Sequence, residues 1–343
     1  MNDFKKMKKY YKKSQIKGKK SIKVKKKKFY HFKEEKNTNI ILYLFFLLIK
    51  LIFLILLYNF HSFCYNYRKK IIDNFYKRRT EFVERSGNHY NESNIVTYDD
   101  KLNWLMIHET TKLKVNCADK ILVHQYSKRI LKKDICNKSL KIYDNPEQIN
   151  IDELPEKFVL KANHGFGYNI IVTNKTRFNV EKAKQTLSEW LKTDFGKNSE
   201  QFHYSFIKRK VFAEEFIGKE LIGKDLIDYK FLCCNGIPRY IYIIQTINGI
   251  KYVTYFDINF NKLDFVCDFP NHPTAVNFKP KNLELMKEYA RKLSKPFKFV
   301  RVDLYEVFDE VRLGELTFSP RNSFTRCKNR KHEIELGKYL KLF

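Results

Sequence analysis

The sequence contains no Cys-x-x-Cys pair and no Cys/His group with the spacing of a zinc module. Its seven cysteines are an odd number, and they are scattered along 343 residues. This pattern disfavours the disulfide framework of a small secreted domain, so we predict mostly free thiols. The cysteine count does not by itself fix the compartment in which the protein works.

Other signatures are also missing. The chain has no Gly-Lys-[Ser/Thr] phosphate loop, no internal repeat and no recognisable RNA- or DNA-binding motif. The net charge of +29 is uneven, because residues 1–37 hold sixteen lysines against three acidic residues and contribute +13. The remaining +16 is spread over the rest of the chain. We therefore do not expect a nucleic-acid partner, although a basic surface suits an acidic substrate.

One long apolar stretch is present. Ile40–Tyr58 has nineteen residues, of which sixteen are Ile, Leu or Phe. This length suffices to cross a bilayer core, and the apolar residues outweigh the cost of about 3 kcal/mol for Lys50 at the centre. A long buried core helix is the alternative. Because the larger lysine cluster precedes the stretch, we predict a single-pass signal-anchor with a cytosolic N-terminus and a lumenal or extracytoplasmic globular domain.

The chain divides by composition into four segments. We predict a basic disordered tail at 1–37, a transmembrane helix at 38–60, a stalk at 61–97 and a globular domain at 98–343. Hairpins alternate with helices in the globular segment, which is typical of an α+β fold and not of a doubly wound parallel sheet. Asn235-Gly236 and Asn248-Gly249 predict tight turns between successive strands.

Two alternating runs near the C-terminus predict an antiparallel hairpin. They are Phe299–Tyr305 and Val311–Phe318. In a hairpin centred on Asp309, Asp303 lies directly opposite Glu315, with the two carboxylates about 5 Å apart on one open face. The opposite face is apolar and holds Val300, Val302, Leu304, Leu316 and Phe318.

Two carboxylates that close together commonly share a divalent metal, and such metals often carry nucleotide phosphates. Arg301 lies opposite Thr317 on the same face in this register. A solvated acidic face is the alternative to a metal site. A slip of one residue would also move Glu315 to the other face.

A second group of residues has the chemistry of a phosphate site. Phe158–Lys161 is a predicted strand that ends in a lysine, and the next loop contains Gly165 and Gly167. A glycine loop lets backbone N–H groups approach phosphate oxygens, and Lys161 adds positive charge. Taken alone, such a loop is more often only a turn.

Two further predicted strands carry charge at their ends. Glu214 and Glu215 end one of them, and we expect an exposed strand edge there that pairs with an adenine through backbone atoms. Lys230 lies on the other strand, where a second phosphate contact is expected. A charged strand terminus and a solvated lysine are the alternatives.

The order of these features resembles the ATP-grasp superfamily, and in particular the TupA-like ATP-grasp family associated with teichuronopeptide and cell-surface polysaccharide synthesis. The resemblance covers the chain from Asp99 to its end. The stretches that carry it are Leu154–Lys161 with Asn163-His164-Gly165, Asp228–Phe231 with Asn235-Gly236, Leu293-Ser294-Lys295 with Phe299–Tyr305, and Gly314–Phe318.

The resemblance implies an ATP-grasp fold of two subdomains that hold a nucleotide between two sheets, with ATP and Mg²⁺ as cofactors. The implied nucleotide-binding residues are Lys120, Lys161, Gly165, Gly167, Glu214, Glu215, Ile217 and Lys230. The implied metal ligands are Asp303 and Glu315. Arg301 and Lys230 have catalytic roles in this comparison, and His124 stands where a basic side chain is expected.

The resemblance also implies an activity, that of an ATP-dependent carboxylate–amine ligase. Such an enzyme works through an acyl phosphate, here on an acidic, polysaccharide or glutamyl acceptor. Thr317 stands where many ATP-grasp enzymes have an asparagine ligand, and Ser319–Ser323 replaces a glycine-rich turn, which we expect to alter the acceptor pocket. A membrane-anchored glycan kinase or glycosyltransferase is the alternative function.

Overall fold

The computed structural model describes residues 20–85, 87, 90–218 and 226–343, and it leaves the side chains of 20–43, 60, 61, 64, 276 and 277 undescribed. The chain divides into two compact units, Met1–Ile72 and Asp73–Phe343. The first nineteen residues of the predicted basic tail are outside the described part. Helix α1, Lys20–Arg85, begins within the rest of that tail.

The first unit has helical residues with exposed apolar side chains, among them Leu44 and Phe53. Among the described residues, we find no helix that combines the length and the apolar character needed to cross a membrane. The predicted span Ile40–Tyr58 is therefore not supported, and its first four residues lie outside those with described side chains. The orientation and the location predicted from that span have no structural support either.

Helix α1 also covers much of the segment that was predicted to be a stalk, since it continues to Arg85. Its last turns belong to the second unit, in which Arg79 and Val83 are fully buried. The Arg79 guanidinium donates to the backbone oxygen of Asn322 at 2.8 Å and to the side-chain oxygen of Asn103 at 2.5 Å. This end of the helix is thus part of the globular core.

Seven shorter helices follow among the described residues. They are α2 (Tyr98–His108), α3 (Lys112–Ala118), α4 (Leu122–Leu131), α5 (Val180–Lys192), α6 (Phe195–Ser199), α7 (Leu283–Ser294) and α8 (Arg330–Gly337). Thr97 and Asp100 form a capping box at the start of α2, and Asn179 caps α5. These side chains satisfy backbone N–H groups that have no partner inside the helix.

One sheet has four antiparallel strands in the order β1-β4-β2-β3. The strands are β1 (Ser139–Tyr143), β2 (Phe158–Ala162), β3 (Asn169–Val172) and β4 (Val211–Glu215). Phe158 and Leu160 of β2 are fully buried and pack in one core with Leu187 of α5. Lys161, at the next position of β2, lies on the opposite face because side chains alternate along a strand.

The other sheet has five antiparallel strands in the order β7-β6-β5-β8-β9. The strands are β5 (Tyr229–Cys234), β6 (Ile237–Ile247), β7 (Ile250–Asp257), β8 (Phe299–Val307) and β9 (Glu310–Thr317). Asn235-Gly236 and Asn248-Gly249 form the predicted turns, with positive φ at all four residues. Left-handed conformations at both central positions give the turn type that matches strand twist.

In the β8–β9 hairpin, the two acidic residues face each other as predicted. Asp303 is paired with Glu315, and Arg301 with Thr317. The turn, however, is two residues long, Phe308-Asp309, and the ladder shifts by one residue between Asp303 and Leu304.

The shift leaves Gly314 without a partner, which is a β-bulge. Leu313 and Leu316 consequently both reach the core although they are three residues apart. Val300, Val302, Leu304 and Phe318 are buried in the same core, as predicted.

The thiols divide into two groups. Cys117, Cys136, Cys233 and Cys234 are buried and free, which confirms the prediction for most of the cysteines that the structure describes. Cys267 and Cys327 instead form a disulfide. The α+β class and the two antiparallel sheets are as predicted. Short 3₁₀ helices complete the fold at Pro146–Gln148, Ile151–Glu153, Lys175–Arg177, Phe202–Phe206 and Ala275–Phe278, and a turn with left-handed residues spans Pro320–Ser323.

Candidate active site

A cavity of about 580 Å³ lies between the two sheets. Strands of both sheets contribute to its walls, including β2 and β4 on one side and β8 and β9 on the other. Nine predicted site residues line it, namely Lys120, Lys161, Gly165, Gly167, Glu214, Glu215, Ile217, Asp303 and Glu315. Residues that are far apart in sequence are thus brought to one place, as the predicted fold requires.

The glycine loop after β2 is held at one wall of the cavity. The ammonium group of Lys120 donates a hydrogen bond to the carbonyl oxygen of Gly165. Gly165 has φ +102°, and a Cβ atom there would lie 2.6 Å from the ring of Phe195. A side chain at this position is excluded on both grounds. Gly167 has φ +77° in open space, so it serves the turn of the loop and not its packing.

Lys161 and Glu214 form an ion pair inside the cavity wall. Their strands are hydrogen-bonded neighbours, and Glu214 is paired with Val159 of β2 on one side and with Ser139 of β1 on the other. β4 is therefore an internal strand, and the prediction of an exposed edge at Glu214 and Glu215 was wrong. The backbone leaves the ladder only after Glu215, at Phe216 and Ile217, which line the same cavity.

The acidic pair of the hairpin is the centre of a charge cluster. Arg301 donates to both oxygens of Asp303 and to one oxygen of Glu315, with each distance 2.6 Å. Lys230, which is directly opposite Asp303 on β5, also contacts that carboxylate at 2.6 Å. The Thr317 hydroxyl donates to Glu315 at 2.7 Å. The repulsion between the two acids is thus balanced by two cations.

Burial and these cations set the protonation states. Burial raises the pKa of Asp303 to about 6, against the opposing effect of Arg301 and Lys230, so the carboxyl is ionised at neutral pH. Burial would also raise the pKa of Glu315, but Arg301, Lys120 and Lys230 lower it to about 2. Burial lowers the pKa of Lys120, against the nearby Glu315. Both carboxylates are therefore available as anionic ligands.

The donor set fits ATP with Mg²⁺. Asp303 and Glu315 offer carboxylate oxygens, which are the ligands that Mg²⁺ prefers. Lys120 and Lys161 line the same cavity as those oxygens and provide positive charge for phosphates. Asp228 adds a third carboxylate with one buried oxygen, Oδ1, that has no hydrogen-bond partner among the described residues. An orphaned buried oxygen beside two anionic ligands is suited to a cation.

Two side chains of this cluster were missed by the sequence argument. Asp228 forms an ion pair with Lys230, two residues along the chain. Tyr242 accepts a hydrogen bond from Arg301 at 3.0 Å. The two-residue spacing of Asp228 and Lys230 on an alternating strand is a signal for the first of them. Tyr242 gave no such signal, because it lies on a separate strand, β6.

The sequence of residues 100–341 matches the family model for TupA-like ATP-grasp proteins. The chain belongs to the TupA-like ATP-grasp family. ATP-grasp enzymes form C–N bonds and bind ATP with Mg²⁺, so the predicted enzyme class and cofactors are confirmed at the level of the family. Among curated protein sequences, none matches the chain.

The solved structures to which this chain is similar are distant in sequence. The D-alanine–D-alanine ligase of Bacillus anthracis is 18% identical, with a TM-score of 0.33, 59% of this chain covered and 57% of that chain. Its complex with ATP is 16% identical to this chain, with a TM-score of 0.38, and the match covers 70% of this chain and 72% of that chain. The N5-carboxyaminoimidazole ribonucleotide synthetase of Thermus thermophilus is 12% identical to this chain, with a TM-score of 0.33. This match covers 59% of this chain and 45% of that chain. The family assignment rests on the sequence match and not on these similarities.

Proposed function

We propose that this chain is an ATP-dependent carboxylate–amine ligase. The observation that carries the proposal is the convergence of charged side chains on one cavity, Lys161, Asp303 and Glu315 from the two sheets and Lys120 from the turn before α4. The arrangement supports a reaction in which the protein contributes positioning and charge neutralisation, as in other phosphoryl transfers.

The proposed reaction has two steps. A substrate carboxylate attacks the γ-phosphorus of ATP, the bond to ADP breaks, and an acyl phosphate forms. The lone pair of an amine then attacks the acyl carbon, phosphate leaves with the bonding electrons, and the amine loses a proton as the amide forms. Lys120 and Lys161 would contact the phosphates, and Arg301 would stabilise the charge on the transferred group.

Asp303 and Glu315 would hold the metal, which supplies charge neutralisation on the phosphate oxygens when bound. Arg301 bridges the two carboxylates at 2.6 Å and Lys230 contacts one of them. These two cations hold both acids ionised and facing the same cavity. They are in direct contact with the proposed ligands, and we therefore assign them positioning roles in addition to contacts with the phosphoryl group.

The acceptor proposed here is acidic, such as a uronic-acid polymer or a glutamyl group at the cell surface. The excess of basic residues outside the tail supports it. The loop after β9 is unusual in that Arg321, Asn322 and Ser323 all have positive φ. Arg321 pairs with the buried carboxylate of Asp268 at 2.8 Å. The loop would therefore give the acceptor side a fixed shape, with the charge of Arg321 already neutralised by Asp268.

A pair of matched variants tests the ligase. Glu315→Gln preserves size and removes the anionic ligand, so we expect at least about a 100-fold loss of ADP formation with candidate acidic acceptors. Glu310→Gln is the control, since Glu310 lies on the same strand and is exposed. Its activity should match that of the unmodified chain. Circular dichroism of both variants checks that the fold is kept.

Product analysis separates the ligase from a kinase. A ligase releases ADP and inorganic phosphate in equal amounts and only when an amine is present. Release of ADP with transfer of phosphate to a glycan, and no free phosphate, would identify a kinase instead. Full turnover by the Glu315→Gln variant would contradict the assignment of the site.

A further inference from the structure

A second group of potential metal ligands lies outside the acidic pair. The side chains of His124, Asp134 and Cys136 place one ligand atom each within 4.8 Å of one another. The sequence singled out His124 only as a basic side chain and gave no sign of a metal cluster, because the spacing is not that of a zinc module and one of the three is a carboxylate. His124 and Cys136 line the nucleotide cavity.

The fold fixes where these three side chains lie. His124 is on α4, and the chain leaves that helix through Lys132 in a left-handed conformation, with φ 58°. It then runs beside β9, where the N–H of Leu313 donates to the carbonyl of Ile135 at 2.8 Å. Cys136 forms a parallel bridge with Leu313. The cysteine is thus anchored to the core hairpin and brought back against α4.

The ligand atoms are largely uncommitted. The ring of His124 makes no hydrogen bond to any residue that the structure describes. Asp134 uses one oxygen, which accepts from the backbone N–H of Cys136 at 3.2 Å. The thiol of Cys136 contacts the hydroxyl of Ser127 at 3.3 Å. A hydroxyl beside the sulfur is the type of outer partner that orients a metal thiolate.

The geometry points to a Zn²⁺ site formed by His124, Asp134 and Cys136. Nitrogen, oxygen and sulfur donors together suit a borderline cation such as Zn²⁺ and do not suit Mg²⁺. Tetrahedral zinc bonds of 2.0–2.3 Å place the donors about 3.5 Å apart, so the three side chains must approach by about 1 Å. On binding, the Cys136 sulfur bonds to the metal and its proton leaves to solvent.

Three protein ligands leave the fourth position of the metal open. Two of the three line the cavity, so a water molecule or a donor atom of the bound nucleotide can take that position. The site differs in chemistry from the acidic pair, which offers only oxygen. This difference allows the two to be measured separately in the same chain.

The test uses Co²⁺ as a spectroscopic probe for Zn²⁺ on the full chain without reductant, so that the Cys267–Cys327 disulfide stays closed. We expect one equivalent of Co²⁺ to give a thiolate-to-cobalt charge-transfer band, and Zn²⁺ to displace it. Cys136→Ser should abolish the band, and His124→Ala should weaken binding by more than about tenfold. Cobalt bound at Asp303 and Glu315 gives no sulfur band.

Cys117→Ser is the matched control, because Cys117 is also buried and free but is not part of the cluster. It should keep the band. Zinc K-edge absorption of the unmodified chain needs no variant and should show one sulfur among nitrogen and oxygen ligands. A zinc spectrum without sulfur, or a band that survives in Cys136→Ser, would overturn the proposal.

Discussion

Buried cations in this chain are stabilised in two different ways. Arg301 and Lys230 lie against the carboxylate of Asp303. Lys114 is equally buried, but its ammonium group donates to the backbone oxygens of Glu109 at 2.7 Å and of Leu105 at 3.4 Å. Burial lowers the pKa of Lys114 to about 8. A cation that faces two carbonyl dipoles, with the ring of Phe318 5.8 Å away, is thus held at a cost.

Replacing Lys114 by Met should stabilise the protein at pH 7. The desolvation cost of the charge is removed, while two carbonyls lose a donor, so we expect a gain of about 1–2 kcal/mol. The measurement is urea unfolding followed by far-UV circular dichroism.

The pH dependence of the difference in stability between the unmodified chain and Lys114→Met is a sharper check. Unfolded Lys114 keeps its proton up to the ordinary lysine pKa of 10.5, whereas the folded form releases it above about 8. The unfolded state therefore binds more protons between these values, and the stability of the unmodified chain rises with pH in that window. Between pH 7 and 9.5 it should gain roughly 2 kcal/mol relative to Lys114→Met. An unchanged difference would contradict a depressed pKa.

At the scale of elements, the turns show why the strands could be placed in advance. Asn-Gly pairs encode a two-residue turn through φ alone, and that information is local. Gly236 and Gly249 have nearly equal φ values, +75° and +77°. Their surroundings differ, because a Cβ at Gly236 would lie 3.0 Å from the backbone of Lys295, whereas nothing lies within 4 Å at Gly249.

This pair of glycines gives a controlled prediction. Gly249→Ala should cost about 1–2 kcal/mol, which is the strain of a left-handed alanine. Gly236→Ala should cost more than that, since the methyl group also presses on backbone that cannot rotate away. Denaturation midpoints of the two variants measure the difference. Equal losses of stability in the two variants would show that the backbone at Lys295 moves aside at no cost in free energy.

The parts that could not be predicted depend on non-local partners. The pairing of Asp303 with Glu315 followed from alternation along two strands, and so did the apolar face behind them. The internal position of β4 did not, because its neighbour β1 joins it from about 70 residues earlier in the chain. The ion pair of Lys161 with Glu214, and the disulfide of Cys267 with Cys327, have the same cause. The composition of residues 61–85 led to the prediction of a stalk. These residues instead belong to a helix without clear periodicity, whose last turns pack within the second unit.

At the scale of the molecule, the C-terminal end of α1 is a structural part of the second unit. Arg79 has no exposed surface, and it also contacts the ring of Phe324, 4.9 Å from its centroid. Its partner Asn322 belongs to the loop with three successive left-handed residues. Such residues cost about 1–2 kcal/mol each and persist only where their surroundings hold them. Arg79 supplies part of that support.

Truncation should reveal this dependence. A chain that starts at Asp73 keeps Arg79 and should unfold cooperatively with the stability of the second unit. A chain that starts at Tyr90 loses Arg79 and Val83, leaves the Asn103 and Asn322 oxygens without their donor, and should be less stable by about 3 kcal/mol or more. Thermal unfolding compares the two. Equal melting temperatures would mean that the helix end is dispensable.

The unpaired Gly314 affects the direction of the Glu315 carboxylate but not the face of the strand on which Glu315 lies. On the tip side of this residue, Val311 and Leu313 face the interior, and beyond it Leu316 and Phe318 do so. A strand shortened by this one glycine would alternate without interruption, so Glu315 would keep both its partner and its face. Only the local bend and the added twist that a bulge gives a strand would disappear. The direction in which that carboxylate enters the cavity is therefore set by a residue that has no side chain of its own.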